Sequence, residues 1–412
     1  MSEQRFEAIE RIEHEELERR WAACSAQLAE RLPEADGLAV FSGPSMYWLT
    51  GTWTTGVCWL PVGGEPVLLV RRGLERARLE SAIDRLGRFR SYSDIPGLCR
   101  DLGEPLGETV AADMNGLSWS LGAMLSGRLD SVRFVPGQDV LSRARSVKTA
   151  FELDIMRECG RRHHKGLFEL LPEVIRPGMN EREISHKAWE VFFSLGHMGL
   201  MRMGSFGTEI FLGHVAAGDS ANYPSVFDGP VGLRGEHPAV PFMGCKDRVW
   251  KPGEPLACDI GFAHRGYVTD KTQVYFAGSQ ADMPVELDRG HKFCMDVQAW
   301  LAEHCVPGAV PSEMYAHVME WAGREGLREG FMALDGNKVR FLGHGIGLVI
   351  DEYPPLANGV DEPLREGMVL ALEPKFGVRG LGMVGVENTF EVTAEGARCI
   401  TGHDYGMVCV SG

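Results

Sequence analysis

Five residues with metal-binding side chains stand in the C-terminal part of this 412-residue sequence: Asp259, Asp270, His344, Glu373 and Glu387. Four carboxylates held close together would repel one another unless cations lay between them, and they carry enough charge to neutralise two divalent ions. An oxygen-rich set with one nitrogen ligand suits Mn²⁺, Fe²⁺ or Co²⁺ and also accommodates Zn²⁺. Two such ions can activate a water molecule and polarise the group it attacks. We therefore predict a dinuclear centre, with manganese as the expected metal.

The first two carboxylates belong to one predicted hairpin, within ACDIGFAHRGYVTDKTQVYF. Strand alternation places Cys258 in the core and Asp259 on the opposite face. A two-residue loop at His264 and Arg265 would set Asp259 directly opposite Asp270, with Cβ atoms about 5 Å apart. The hairpin alone thus predicts a paired carboxylate site.

The other three candidate ligands follow the same logic. A hairpin centred on Gly380 pairs residue numbers that sum to 760, which sets Glu373 opposite Glu387. Between the two hairpins, glycines on both sides of His344 would let the backbone pass close to the cluster while one imidazole enters it. We predict that all five side chains converge.

The elements that position these residues form two regions. The first third alternates strands and helices, which is typical of an α/β layer. The predicted elements are a helix over 6–32, strands at 37–41, 58–62, 66–70 and 109–112, a turn at 42–45, and helices near 73–86 and 118–127.

A domain boundary is predicted at residue 148, where a connecting segment leads into a long helix. Asn180 or Glu181 caps the next helix, and helices return at 284–304 and 311–327. The order helix, helix, strands then occurs twice, which suggests a structural duplication. The predicted class is α+β, with domains over 1–148 and 149–412.

The amino-acid composition excludes some classes of binding partner and favours one cellular compartment. A formal net charge of −15 argues against nucleic acid or an anionic membrane surface as the main partner. No stretch reaches the roughly 20 apolar residues of a membrane span, and the charged N-terminus lacks the apolar core of a signal peptide. Ten cysteines without a CxxC pair favour reduced thiols in the cytoplasm.

A long segment from residue 198, rich in glycine and aromatic residues, is typical of a pocket wall. Its Tyr223, Phe227 and Phe242 could receive a quaternary cation or a sulfonium group, although plain pocket wall or core is the commoner role of such aromatics. His214, in the same segment, is a further candidate for contact with the substrate.

The metal-ligand motifs resemble those of the creatinase/prolidase/aminopeptidase P family, the pita-bread metallopeptidases. The family motifs D-x-G and G-Y-x-x-D-x-T stand here at 259–261 and 266–272, G-H-G-x-G at 343–347, and E-P at 373–374, before the final glutamate at 387. The resemblance implies one ion on Asp259, Asp270 and Glu387, and the other on Asp270, Glu387, His344 and Glu373.

The resemblance extends along the whole chain. MYWLTG and VLSRARSVKTAFELDIMR resemble the creatinase-type N-terminal domain and its linker helix, and IRPGMNEREI resembles the start of the catalytic domain. The implied architecture is a creatinase-type α/β domain followed by a pita-bread catalytic domain. Family resemblance also implies a homodimer.

Three positions depart from the family pattern. Peptidases of the family usually carry a histidine about 17 residues before the first aspartate, where this chain has Phe242; His237 lies nearby and could substitute. A second histidine usually follows the metal-binding one by seven residues, where this chain has Asp351. An arginine is common where Gly385 stands. We predict Asp351, Glu352 and His237 as candidate catalytic groups in place of those residues.

Three functions remain open at this stage. The leading prediction is a dinuclear-metal hydrolase that cleaves a C–N bond in an Xaa-Pro dipeptide or short peptide. The second is a non-peptidase enzyme acting on a small zwitterion, as creatinase or a dimethylsulfoniopropionate lyase does. The third is a non-catalytic binding module, in which loss of ligands would be expected although all five are present.

Overall fold

The computed structural model describes residues 6–205 and 207–411, which form two compact units. The chain up to Arg145, with residues 205 and 207, belongs to the first unit, and the remainder from Ser146 belongs to the second. All ten cysteines are free thiols, and eight of them are buried. Among the described residues, no helix has both the length and the apolar character needed to cross a bilayer.

The first unit is a six-stranded mixed sheet with short helices. Its strands are β1 (Gly37–Val40), β2 (Gly56–Pro61), β3 (Val67–Val70), β4 (Leu86–Arg88), β5 (Thr109–Ala112) and β6 (Arg133–Pro136). Its helices are α1 (His14–Arg31), α2 (Gly43–Thr50), α3 (Leu74–Glu80), α4 (Ile95–Asp101), α5 (Trp119–Arg128) and α6 (Gln138–Ser146). The strand order is β4-β3-β2-β1-β5-β6, and β2 is antiparallel to both neighbours. The predicted α/β layer is confirmed.

Two predicted helices of this unit had wrong limits, and one predicted turn is part of a helix. Helix α1 begins at His14 rather than at residue 6, because Phe6 and Ile9 lie in solvent and give the preceding segment no buried face. The predicted turn at 42–45 is the start of α2, whose first turn accommodates Pro44 because proline is pre-set for that position. Helix α3 ends at Glu80, six residues before the predicted end.

The second unit contains four long helices and two four-stranded sheets. The helices are α7 (Ala150–His164), α8 (Glu181–Ser194), α9 (Val285–His304) and α10 (Pro311–Arg324). The strands are β7 (Met201–Arg202), β8 (Glu209–Ile210), β9 (Gly213–Ala217), β10 (Pro255–His264), β11 (Tyr267–Ala277), β12 (Gly343–Gly345), β13 (Val369–Leu372), β14 (Lys375–Val378), β15 (Gly382–Gly385), β16 (Asn388–Thr393), β17 (Gly396–Cys399) and β18 (Val408–Val410).

Local sequence signals explain where the helices begin. Thr149 caps α7 and Asn180 caps α8, each in a capping box whose third residue is a glutamate, Glu152 and Glu183 respectively. Each box satisfies backbone N–H groups that the first turn would otherwise leave without acceptors. Asn180, rather than Glu181, is therefore the cap of α8.

Each of the two large sheets has a helix pair against one face. The sheet of order β18-β11-β10-β9 packs Cys258, Ile260 and their neighbours into one core with α7 and α8. The sheet of order β12-β13-β16-β17, together with the β14–β15 hairpin, packs Leu372 and Val386 into a second core with α9 and α10. Side chains at the alternate positions are left to point away from the helices. The predicted candidate ligands occupy such positions.

Candidate metal centre

The β10–β11 hairpin brings Asp259 and Asp270 to one face of the sheet. Asp259 pairs with Thr272, and Asp270 pairs with Gly261. The predicted direct pairing of the two aspartates is therefore wrong, because the register is shifted by two residues. A shift of two keeps both side chains on the predicted face, since side chains alternate with a period of two. The carboxylates are diagonal neighbours.

The shift comes from the turn. The two loop residues are Arg265 and Gly266, with φ of 48° and 85°, and His264 still belongs to β10. Positive φ at both positions is the backbone of a type I′ turn, which matches the twist of the flanking strands. Glycine at the second position tolerates this conformation without strain.

The second carboxylate pair follows the predicted register. Leu372 pairs with Asn388, and Lys375 pairs with Gly385, so residue numbers sum to 760 on both sides of the pair. Pro374 has no N–H to donate, and the regular ladder is interrupted there. Glu373 and Glu387 lie between the two ladders, and both are buried.

His344 enters the cluster from β12, at the edge of the same sheet. A Cβ at Gly343 would lie 2.2 Å from the Ala371 carbonyl oxygen, and one at Gly345 would lie 2.3 Å from the Tyr353 carbonyl oxygen. Only glycine fits at either position, as the sequence predicted. The His344 Nδ1 is 3.0 Å from the Gly345 oxygen, and Nε2 lies 3.5 Å from Glu373 Oε1.

The five side chains line one cavity of about 370 Å³. Ligand atoms of Asp270, His344 and Glu387 lie within 4.8 Å of one another. The Thr272 hydroxyl lies 2.7 Å from Asp259 Oδ1 and 2.9 Å from Glu387 Oε2. One hydroxyl hydrogen cannot serve both oxygens, so this crowded set of acceptors requires protons or cations. The donor set therefore fits divalent metal ions.

The electrostatics of the protein without metal reflect the same crowding. Burial, followed by the charge of Asp259, raises the pKa of Asp270 to about 7. Burial also raises the pKa of Glu373 to about 7 and that of Glu387 well above its usual value. Burial opposes ionisation of Asp259 as well, but Lys375 and nearby hydrogen bonds outweigh it and lower the pKa of that carboxyl. Three of the four carboxylates thus hold protons more tightly than in water.

The stability that these carboxyl groups contribute to the metal-free protein should consequently fall as pH rises. A carboxyl group whose pKa is raised on folding contributes stability that is complete below its unfolded value and is lost as pH rises through its folded value. For Asp270 and Glu373 that window runs from about 4 to about 7. The upper part of this window lies above about pH 5.5, so we expect the carboxyl contribution to the unfolding temperature of chelator-treated protein to be lost mainly between about pH 5.5 and 8.

The measurement is the difference in unfolding temperature between Mn²⁺-loaded and metal-free protein across that range. The difference should widen with pH because the ions replace the protons, and because histidines far from the centre titrate alike in both samples. A difference that is constant from pH 5.5 to 8 would contradict the assignment.

Of the predicted catalytic groups, Asp351 and Glu352 both line the cavity. Asp351 accepts a hydrogen bond from the Gly204 N–H, and burial raises its pKa. Glu352 lies 3.1 Å from the Lys148 ammonium and accepts hydrogen bonds from the backbone of Leu348, at 2.9 Å, and of the next residue. Asp351 is thus the freer base, while Glu352 is engaged in holding its loop.

The Lys148–Glu352 ion pair is almost fully buried, with side chains 1% and 4% exposed. Lys148→Met should lower the free energy of unfolding by about 3–5 kcal/mol, because it leaves a buried carboxylate without its counter-charge. The double variant Lys148→Met/Glu352→Leu should recover much of that loss. Urea denaturation measures both. Equal losses in the single and double variants would show that packing, rather than charge pairing, is at stake.

The predicted substrate-contact residues are only partly at the cavity. His214 and Phe227 line it, with ring centroids 5.4 Å apart. Burial lowers the pKa of His214, and its Nδ1 lies 3.0 Å from the Val231 oxygen. Phe242 is not among the described lining residues, but it packs against Phe227, with centroids 5.4 Å apart. Phe242, which is 41% exposed, therefore contacts the cavity wall through the Phe227 ring.

Two predicted residues lie elsewhere. Tyr223 is 51% exposed and lines a second cavity of about 180 Å³, which shares Phe227 and Asp228 with the metal cavity. His237 is exposed in a small loop, where its Nδ1 lies 3.1 Å from the Ala239 N–H. Neither residue is among the described residues that line the metal cavity, and their assignment to the site stays a prediction. Proximity in sequence was a poor guide because this loop region has no regular strand or helix.

Lys375 is a residue of the centre that the sequence analysis did not predict. It is fully buried, and its Nζ lies 2.9 Å from Glu387 Oε2 and 3.9 Å from Glu373 Oε2. Burial disfavours its charged form, but the surrounding carboxylates more than compensate and raise its pKa, so the amine stays protonated. A lysine directly after Glu-Pro on an otherwise apolar strand was the available signal.

Family comparisons agree with this geometry. Residues 154–394 match the metallopeptidase family M24, and residues 20–147 match the creatinase/prolidase N-terminal domain. The first match alone covers more than half of the chain. The chain belongs to metallopeptidase family M24.

Known M24-type proteins align along most of this family member. An Xaa-Pro dipeptidase of Pyrococcus furiosus is 24% identical over 87% of this chain and 90% of its own length. A probable dipeptidase PepE of Mycobacterium bovis is 26% identical over 85% and 84% respectively. The structure of an Xaa-Pro dipeptidase from Bacillus anthracis superposes with a TM-score of 0.76 and 22% identity, over 96% of this chain and 99% of that one. The predicted fold is confirmed.

M24 is a family of metal-dependent enzymes, so membership in it confirms the prediction that this chain binds divalent metal ions. It also confirms the resemblance drawn from the D-x-G, G-H-G-x-G and E-P motifs. The identity of the metal and the role of each residue are the subject of the proposal that follows.

Proposed function

We propose that this M24 protein is a dinuclear-metal Xaa-Pro dipeptidase-type hydrolase, with two divalent ions held by Asp259, Asp270, His344, Glu373 and Glu387. The observation that carries the proposal is the convergence of these five side chains on one cavity. The dipeptidases to which the chain is similar support the substrate class. When bound, two such ions supply an activated water and a Lewis acid for the scissile carbonyl.

The protein side chains would divide the remaining work. Apolar residues along one wall can hold a proline ring: Met201, Met203, Ile210 and Leu212. Asp351 lines the cavity, and burial raises the pKa of its carboxyl, so we assign to it proton transfer to the leaving amine. Glu352 and Lys148 position the loop on which Asp351 stands. His214 and Phe227 also line the cavity.

We also propose manganese as the metal, a homodimer as the assembly and the cytoplasm as the compartment. The ligand set supports manganese, because hard carboxylate oxygens outnumber the single nitrogen. Ten free thiols support a reducing compartment. Metal analysis of protein purified without added ions, and light scattering of the same sample, test the first two.

A specific observation favours a second candidate, an enzyme acting on a small cationic or zwitterionic molecule. No lysine or arginine is found among the described residues that line the cavity, whereas Asp228 and Asp351 add carboxylates beyond the metal set. A dipeptide brings a terminal carboxylate that would find no basic side chain there. A substrate with a positively charged end would meet carboxylates and the Phe227 ring.

One experiment separates the candidates. Mn²⁺- and Fe²⁺-loaded protein is assayed against Xaa-Pro dipeptides, their C-terminal amides, creatine and dimethylsulfoniopropionate. Turnover of the dipeptides supports the proposal, and turnover of a small zwitterion alone replaces it with the second candidate. A metal stoichiometry near zero, with no turnover of any compound restored by Mn²⁺, would leave the third possibility, a non-catalytic binding module.

A further inference from the structure

The metal centre already contains one cation of its own. The Lys375 side chain is completely buried, and its ammonium lies 2.9 Å from Glu387 Oε2 and 3.9 Å from Glu373 Oε2. Both partners are predicted metal ligands. A buried ammonium on a ligand oxygen occupies an acceptor direction that a metal ion would otherwise use.

The strand opposite is shaped to admit this side chain. Lys375 pairs with Gly385 across the β14–β15 hairpin. A Cβ at Gly385 would lie 2.7 Å from the Lys375 Cα and 3.2 Å from its Cδ, and the glycine φ of 129° is unfavourable for other residues. Any side chain at 385 would therefore compete with the lysine for space. Lys375 and Gly385 form one structural unit.

Charge balance shows what this cation does to metal binding. The four carboxylates carry four negative charges, which two divalent ions neutralise. The ammonium of Lys375 offsets one of these charges, which leaves a net charge of −3 before metal binds. The first divalent ion changes the net charge to −1, and the second changes it to +1. Buried charges are poorly screened by solvent and salt, so the positive charge of Lys375 weakens the electrostatic attraction of the centre for the second ion.

We propose that Lys375 is a resident cation of the centre, which holds the carboxylates together when metal is absent and weakens the binding of the second divalent ion. The inference rests on the proposed ligand set. If Lys375 acts in this way, the centre holds one divalent ion at low metal concentration and two ions only at high metal concentration.

Two measurable properties should then change in opposite directions when the charge is removed. Lys375→Gln keeps a hydrogen-bond donor for Glu387 but carries no charge. Metal-free protein should lose stability, because four buried carboxylates remain without a cation. The second ion should bind more tightly, because the repulsive charge has gone. A lysine with a merely structural role would lower both properties.

The experiment uses Mn²⁺ alone, without substrate, and full-length protein. Calorimetric titration gives the two dissociation constants, and metal analysis after dialysis gives the retained stoichiometry. We expect the wild type to retain about one ion and Lys375→Gln about two, with the second dissociation constant at least about tenfold lower in the variant. The unfolding temperature of the metal-free variant should fall by at least about 3 °C.

Two further variants serve as controls. Lys375→Arg keeps the charge and should keep the weak second site. Lys271→Met removes another fully buried lysine, whose Nζ lies 2.6 Å from Asn388 Oδ1 rather than on a predicted ligand. It should lower stability without tightening the second ion. If Lys375→Gln folds only with metal, the rate at which a chelator removes each Mn²⁺ replaces the titration, and the second ion should leave more slowly than from wild type.

A second ion that binds Lys375→Gln no more tightly than wild type overturns the inference, as does a wild type that already holds two ions with equal affinity. Protein that binds no Mn²⁺ overturns both the inference and the proposed function. Binding in two unequal steps without turnover of any peptide overturns the proposed function and leaves the inference standing.

Discussion

Glu387→Gln is expected to lower kcat/KM by at least about a thousandfold and to reduce bound Mn²⁺ to less than one ion per chain. A thousandfold loss corresponds to roughly 4 kcal/mol of transition-state stabilisation, a magnitude typical of lost metal assistance. Glu387 is one of the two ligands, with Asp270, that the family resemblance implies are shared by both ions. Its Oε2 also accepts from Thr272 and Lys375. Steady-state kinetics and metal analysis on the same preparation measure the two effects.

Glu391→Gln is the matched control. Glu391 is a buried carboxylate four residues further along the same chain segment, but it pairs with Arg157 at 2.8 Å and Arg398 at 2.7 Å. Its replacement should cost stability and leave Mn²⁺ stoichiometry at the wild-type value. Wild-type metal content in Glu387→Gln would remove this residue from the ligand set.

Asp351→Asn is expected to lower kcat by about 10²-fold or more while metal content stays unchanged. The carboxyl lines the cavity and has a raised pKa caused first by burial. A carboxyl group at this place can act as a general acid towards a leaving amine. The pH dependence of kcat should lose one of its ionisations in the variant.

Asp228→Asn provides the comparison for Asp351. Asp228 lines the same cavity but is exposed, so its loss should alter KM more than kcat. An Asp351→Asn enzyme with wild-type kcat and an unchanged pH profile would assign proton transfer to another group.

How far the sequence could predict the site is clearest at the two hairpins. The faces of Asp259 and Asp270 followed from strand alternation alone, because any even shift in register preserves them. The register itself depended on which two residues form the loop. Arg265-Gly266 places glycine second, the usual arrangement of a type I′ turn, and this local signal favoured the observed register over the predicted one.

The residues of the long loops were harder to predict. Tyr223 and His237 stand in a segment without regular structure, so no periodicity indicates which way each side chain points. Phe227 lines the metal cavity, whereas Phe242 only contacts the Phe227 ring. The environment of Lys375 depends on a cross-strand neighbour, Gly385, and becomes predictable only once the register is known.

The predicted ligands all lie between residues 259 and 387, inside the second compact unit. An ion that binds only the folded form adds about 2.7 kcal/mol to its stability at a concentration one hundred times Kd. This added stability makes the unfolding events that expose the amides of this unit to solvent rarer. The first unit has its own sheet and core and contains none of these ligands.

The metal dependence of amide hydrogen exchange should therefore differ between the residues before and after about residue 146. Amides beyond that point would exchange more slowly as free metal rises, whereas those of the six-stranded sheet would keep a constant rate. In a cell where free metal fluctuates, resistance to proteolysis would fluctuate in one part of the polypeptide and not in the other.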